Sequence, residues 1–170
     1  HWLPPDNFQE HPNPVVAHRT SPTNMGLSLL ANLSAYDFGY IVPGKLLDRT
    51  TNALRIMESL EKHRGHFYNW YDTQSLKPLL PLYVSSVDSG NLAGHLLILR
   101  QGLLALTDDP ILSKRFIEGL RDTLTNCLEA ASAASVAKGR LMQLLRELEA
   151  ALLTPTIGLT ALHLFLERWA

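Results

Sequence analysis

A single cysteine, Cys127, serves 170 residues, which excludes an internal disulfide and any metal knuckle built on paired thiolates. HExxH is missing, and although His63 and His66 lie three apart, Gly65 falls between them, so no metal site is expected. Neither a GxGxxG nor a Walker A sequence occurs, which leaves nucleotide binding without support, and no cofactor is expected. Ser21 and Ser89 lack the surroundings of a nucleophile elbow. No uninterrupted apolar run approaches the roughly 18 residues of a membrane span, and no signal peptide is visible. An excess of charge of either sign is also missing: 15 Lys and Arg face 16 Asp and Glu, interleaved, so no nucleic-acid footprint is present.

The most telling absence is local. Nothing between Arg19 and Asp37 is charged, and nothing between Asp88 and Arg100. Each of these stretches follows a polar motif, HRTSPTN at 18–24 and VDSGN at 87–91. A helix that is apolar or small on all faces is expected to be buried on all faces. The polar residues at its start then sit at the mouth of something enclosed, where a ligand site belongs.

The rest of the chain supplies the frame. Residues 1–21, with Pro4, Pro5, Pro12 and Pro14, read as an extended arm, and residues 22–170 as one helical domain. The first helix is expected over 22–38, capped by Ser21, opened by Pro22 and ended by Gly39. The second, over 44–64, is amphipathic, with Leu46, Leu47, Leu54, Met57 and Leu60 at helical spacing and Gly65 closing it. The third, over 89–106, is again nearly free of charge. The fourth, over 109–134, is amphipathic, with Asp108 or Asp109 as cap and Pro110 in the first turn. Two more are expected over 137–153 and 156–169. YVSSV at 83–87 is the only candidate strand.

Buried and amphipathic helices thus alternate. The fold class this predicts is all-α, as part of an α/α barrel or toroid, with buried inner and amphipathic outer helices. A four-helix bundle would give every helix a similar stripe, and an α-solenoid would give a cleaner period. Because successive helices run antiparallel, residues 18–24, 65–73 and 87–91 are expected on one rim.

FYNWYD at 67–72 offers aromatic platforms beside an amide and a carboxylate. A ring covers the apolar C–H face of a sugar while Asn69 and Asp72 hydrogen-bond its edge. The simpler reading is a loop anchored in the core through Phe67 and Trp70. Asp72 and Asp88 are the candidate carboxylates for general acid or base work, and each also reads as a hydrogen-bonding residue, Asp88 as part of a helix cap. Arg19 is a candidate to grip a hydroxyl or carboxylate, or to tie the rim together through Asp72 or Asp88. Asn24 and Asn91 stand near the same rim. Asn32 and His95 read as paired core residues.

At these residues the chain resembles a known family. WLPPDNFQE at 2–10, VVAHRTSPTNMGLSLLANLSAYDFGY at 15–40, HRGHFYNWYDT at 63–73 and VSSVDSGNLAGHL at 84–96 resemble the central, glucoamylase-like domain of bacterial cyclic β-1,2-glucan synthases. The resemblance covers about residues 1–107 and implies an α/α barrel that acts on a β-1,2-glucan chain and closes it into rings by transglycosylation. It implies as partners the other domains of a large membrane enzyme, at the cytoplasmic face of the bacterial inner membrane. Arg19, Asn24, Asn69, Trp70, Asp72, Asp88 and Asn91 would contact glucan. Six helices make half such a barrel at most. The chain, which begins at His1, therefore reads as a piece of a longer one, without activity by itself, whose exposed apolar face predicts self-association. The competing expectation is a non-catalytic helical module that docks the synthase's other domains.

Overall fold

Helices carry most of the chain in the computed structural model, which describes residues 2–110, 113–130, 136–153, 160, 163–164 and 167. Two compact units emerge: His1–Ser34 with Pro43–Thr107, and Ala35–Val42 with Asp108–Ala170.

The first unit begins with the arm, which turns back on itself as an antiparallel pair, β1 (Phe8–Gln9) and β2 (Val15–Val16). After β3 (Arg19–Thr20), α1 runs from Pro22 to Asp37. Ser21 caps it as expected, its hydroxyl accepting from the Asn24 N–H at 3.2 Å. Met25, Leu29 and Leu33 face inward, as their spacing requires. Next, α2 (Pro43–Ser59) buries Leu46, Thr50, Ala53 and Met57. Leu47 and Leu54, expected on that face, are exposed.

The second helix stops at Ser59, well before Gly65. Lys62 explains this, because its ammonium donates to the carbonyls of Met57 (3.0 Å), Glu58 (2.8 Å) and Leu60 (3.2 Å). Those are the terminal acceptors that a helix leaves unsatisfied, and a cation suits that end of the dipole. Gly65 instead turns a hairpin at φ +85 between β4 (Lys62–His63) and β5 (His66–Phe67).

The one candidate strand, at 83–87, does not form. The described residues contain six strands of two residues each, and none covers 83–87. β6 (Tyr71–Asp72) pairs antiparallel with β3, Arg19 opposite Asp72 and Thr20 opposite Tyr71. Ser85 instead caps α3 (Ser86–Ala105), three residues before the expected start.

α1 and α3 run parallel, side by side. A side chain at Gly26 would meet His95, and one at Gly102 would meet Leu33. Seven residues along one helix thus match seven along the other, with glycine at each close approach. Yet neither helix is buried all round. Leu27 of α1 is half exposed, and α3 buries Leu92 and Leu99 while Val87 (70%) and Leu97 (68%) face outward. α3 carries apolar residues on every face, and the unit has neighbours for only some of them.

In the second unit, Gly39 ends α1 at φ +75, its N–H donating to the Tyr36 carbonyl. The amphipathic α4 (Lys114–Ala130) and α5 (Val136–Leu152) pack along each other, burying Ile117 and Leu148. α4 starts at Lys114, not at 109. Asp108 and Asp109 do not cap it. Asp109 accepts from the two terminal guanidinium nitrogens of Arg115 (2.9 and 3.3 Å) and from the Tyr36 hydroxyl (3.1 Å). The helix expected over 156–169 lies almost wholly outside the described residues.

Candidate functional site

Three segments converge within the first unit, at the matched N-terminal ends of α1 and α3. The segments are 19–24, 69–72 and 85–91, and side chains join them directly.

Asp88 is the hub. It stands in the first turn of α3 and accepts hydroxyl protons from Thr23 (2.7 Å) and Ser85 (2.6 Å). Its own N–H donates to Ser85 Oγ at 3.1 Å. The buried Asn69 amide, turned so that all its groups are satisfied, donates to Asp88 (2.9 Å) and accepts from Trp70 Nε1 (2.8 Å) and the Tyr83 hydroxyl (2.7 Å). Asn91 Nδ2 donates to Thr23 Oγ1 at 3.1 Å. Partial burial pushes the Asp88 pKa up, but hydrogen bonds from Ser85, Thr23 and Ser21 outweigh it and hold the carboxyl below its ordinary value.

Trp70 carries the network onward. Its ring lies under the Arg19 guanidinium, 4.9 Å from the centroid. Arg19 is gripped by Asp6 of the arm, whose Oδ2 accepts from Nε (3.1 Å) and Nη2 (3.0 Å). The other Asp6 oxygen accepts from Asn24 Nδ2 at 3.0 Å. These hydrogen bonds, Asn24's first among them, lower the Asp6 pKa despite some desolvation. Of the two roles open to Arg19, the ion pair with Asp72 or Asp88 does not form, and Asp6 takes that place.

Six of the seven expected site residues thus form one chain of contacts: Asn24, Arg19, Trp70, Asn69, Asp88 and Asn91. Asp72 stands apart. Its backbone pairs with Arg19, but its carboxylate accepts from the N–H groups of Ser75 (2.6 Å) and Gln74 (3.0 Å), which fixes a turn and lowers its pKa. Four participants were not foreseen: Asp6, Thr23, Tyr83 and Ser85. Only Ser85 carried a readable signal, since Ser85-x-x-Asp88 has the spacing of a capping box.

The loop is anchored, but not by Phe67 and Trp70, which are only partly buried. Tyr71 is fully buried, donating to the Glu61 carbonyl (2.7 Å) and accepting from the Tyr68 N–H (2.8 Å). Trp70 is left at the surface with its polar edge fixed. The arrangement offers a partly exposed indole, a guanidinium, and amides from Asn24 and Asn91, which suits a polyhydroxyl ligand with apolar ring faces. Among the described residues, no group of three or more His, Cys, Asp or Glu is placed to hold a metal.

No protein-family model matches the chain. Over 96 residues it is 54% identical to cyclic β-(1,2)-glucan synthase NdvB of Rhizobium meliloti (strain 1021). The match takes in 56% of this chain and 3% of that protein. The resemblance read from the motifs at 2–10, 15–40, 63–73 and 84–96 is therefore borne out: the chain is similar to a fragment of an NdvB-like synthase. Among the described residues, no helix is long and apolar enough to cross a membrane.

Proposed function

We propose that this chain is part of a bacterial cyclic β-1,2-glucan synthase and supplies a section of the glucan-binding surface used in transglycosylation and ring closure. The observation that carries this reading is the convergence of Arg19, Trp70, Asn69, Asp88 and Asn91 in one network, within motifs that carry the resemblance to the synthase. The Trp70 face would pack against a glucosyl ring, with Arg19, Asn24 and Asn91 on the hydroxyl edges. Asp88 positions these groups. The parallel packing of α1 against α3, with α2 as the return, supports a section of an α/α barrel, in which inner helices share one direction. The parent would be a membrane protein, with this domain at the cytoplasmic face.

The test is a titration of the chain with linear β-1,2-gluco-oligosaccharide, followed by calorimetry, a readout that wild type and variant share. Saturable binding that weakens by about tenfold or more in Trp70→Ala is expected, the loss of one aromatic platform. An absence of saturable binding, or equal binding by Trp70→Ala, would sink the proposal.

One observation favours a second reading, that of a docking module. Leu97, Ile98 and Leu104 leave an apolar face of α3 exposed. Isolated exposed apolar residues are ordinary, but a contiguous face marks an interaction surface. The aligned segment is 3% of the relative's length, so further helices of a parent synthase are the occupants we propose. The isolated chain should then self-associate through this face. Sedimentation should show concentration-dependent dimers that Leu97→Lys disperses, and a wild-type chain monomeric at all concentrations would count against this reading.

A further inference from the structure

The start of the arm, α1 and α2 enclose a cleft of about 280 Å³ that takes no part in the network around Asp88. Trp2 and Pro4 form one wall, Ser28 and Asn32 of α1 a second, and Lys45 and Arg49 of α2 a third. Ser28 and Asn32 follow Asn24 at helical spacing, so this polar stripe continues along α1 into the cleft.

Its charge is unbalanced. Lys45 and Arg49 are four apart on α2, so both project to the same side. Among the described residues no carboxylate lies within 4.0 Å of either, whereas Arg19, Arg115 and Arg121 each have an acidic partner. Arg49 is nonetheless held in place, its Nη1 donating to Asn32 Oδ1 at 3.3 Å. That bond tethers one corner of the guanidinium and leaves its other donors free. Trp2 is half exposed over the cleft and sits at φ +65, a conformation that L residues seldom adopt. A tethered guanidinium, an ammonium and an open indole face are the groups that a small anion with a ring would use. The volume sits just below the usual range for small-molecule pockets, which suits a single sugar unit and not an oligosaccharide.

We propose that this cleft binds a small phosphorylated sugar, with its phosphate on Lys45 and Arg49 and its ring against Trp2. The site is independent of the glucan-binding reading and shares no residue with it.

Glucose 6-phosphate serves as the probe, with glucose and inorganic phosphate as separate arms, and the Trp2 and Trp70 indole resonances as readouts. Glucose 6-phosphate should shift Trp2 saturably and leave Trp70 in place. Inorganic phosphate should bind about tenfold more weakly and glucose should not saturate. Lys45→Gln and Arg49→Gln should each weaken binding by about tenfold, and added salt should do the same for the wild type. Lys45 is exposed, so its variant keeps the test clear of folding effects. The proposal is overturned by an unmoved Trp2, by unchanged affinity in Lys45→Gln, or by glucose binding as well as its phosphate. A shift of Trp70 alone would assign the ligand to the other site.

Discussion

Asp88 shows how a residue chosen for chemistry is first a structural necessity. Asp88→Asn removes the charge that Thr23, Ser85 and Asn69 all address. A loss of about 2–3 kcal/mol is expected, the scale of hydrogen bonds to a charged group, measurable by urea unfolding. The depressed pKa values of Asp6 and Asp88 also set a pH dependence. The unfolded chain binds these protons first, near a pKa of about 3.9, so the stabilisation is fully present above that value. It fades as the pH falls through the lower folded values, and unfolding midpoints measured between neutral and strongly acidic pH should show it. Tyr71→Phe should cost about 1–2 kcal/mol in the same assay, because its hydroxyl satisfies two backbone groups. Arg19, Trp70 and Asp88 were legible because polar and aromatic residues gathered beside charge-free helices. Asp6 was not, because its role depends on how a proline-rich arm folds back, which local periodicity does not encode.

At the level of elements, legibility followed length. α1 and α2 announce themselves by apolar spacing over several turns and by Pro22 and Pro43 at their starts. β3 and β6 do not, since a pair of residues has no period, and the buried alternation of Asn69, Tyr71 and Thr73 is mostly polar in composition. The end of α2 is set by Lys62, a residue that reads as ordinary surface until its three carbonyl contacts are seen. Lys62→Met should therefore lower stability by about 1 kcal/mol, and loss of amide protection over 57–60 should locate the effect. Gly102→Val should be worse, at about 1–3 kcal/mol, because it wedges α3 away from Leu33.

For the molecule as a whole, the out-and-back order of the first unit was readable from the alternation of charge-free and amphipathic helices. The exposure of α3 was not, because composition says that a surface wants cover without saying whether the chain provides it. One consequence reaches beyond stability. Asp6 already occupies Arg19 and Asn24, so a glucan bound as proposed would meet a resident competitor on a short tether. Tethered groups of this kind act at millimolar effective concentrations, and the apparent affinity falls by the fraction of time the seat is taken. Freeing the seat with Asp6→Asn should tighten oligosaccharide binding by up to about tenfold even as it loosens the arm. The arm would then be a measure of how strongly a sugar must bind to be admitted.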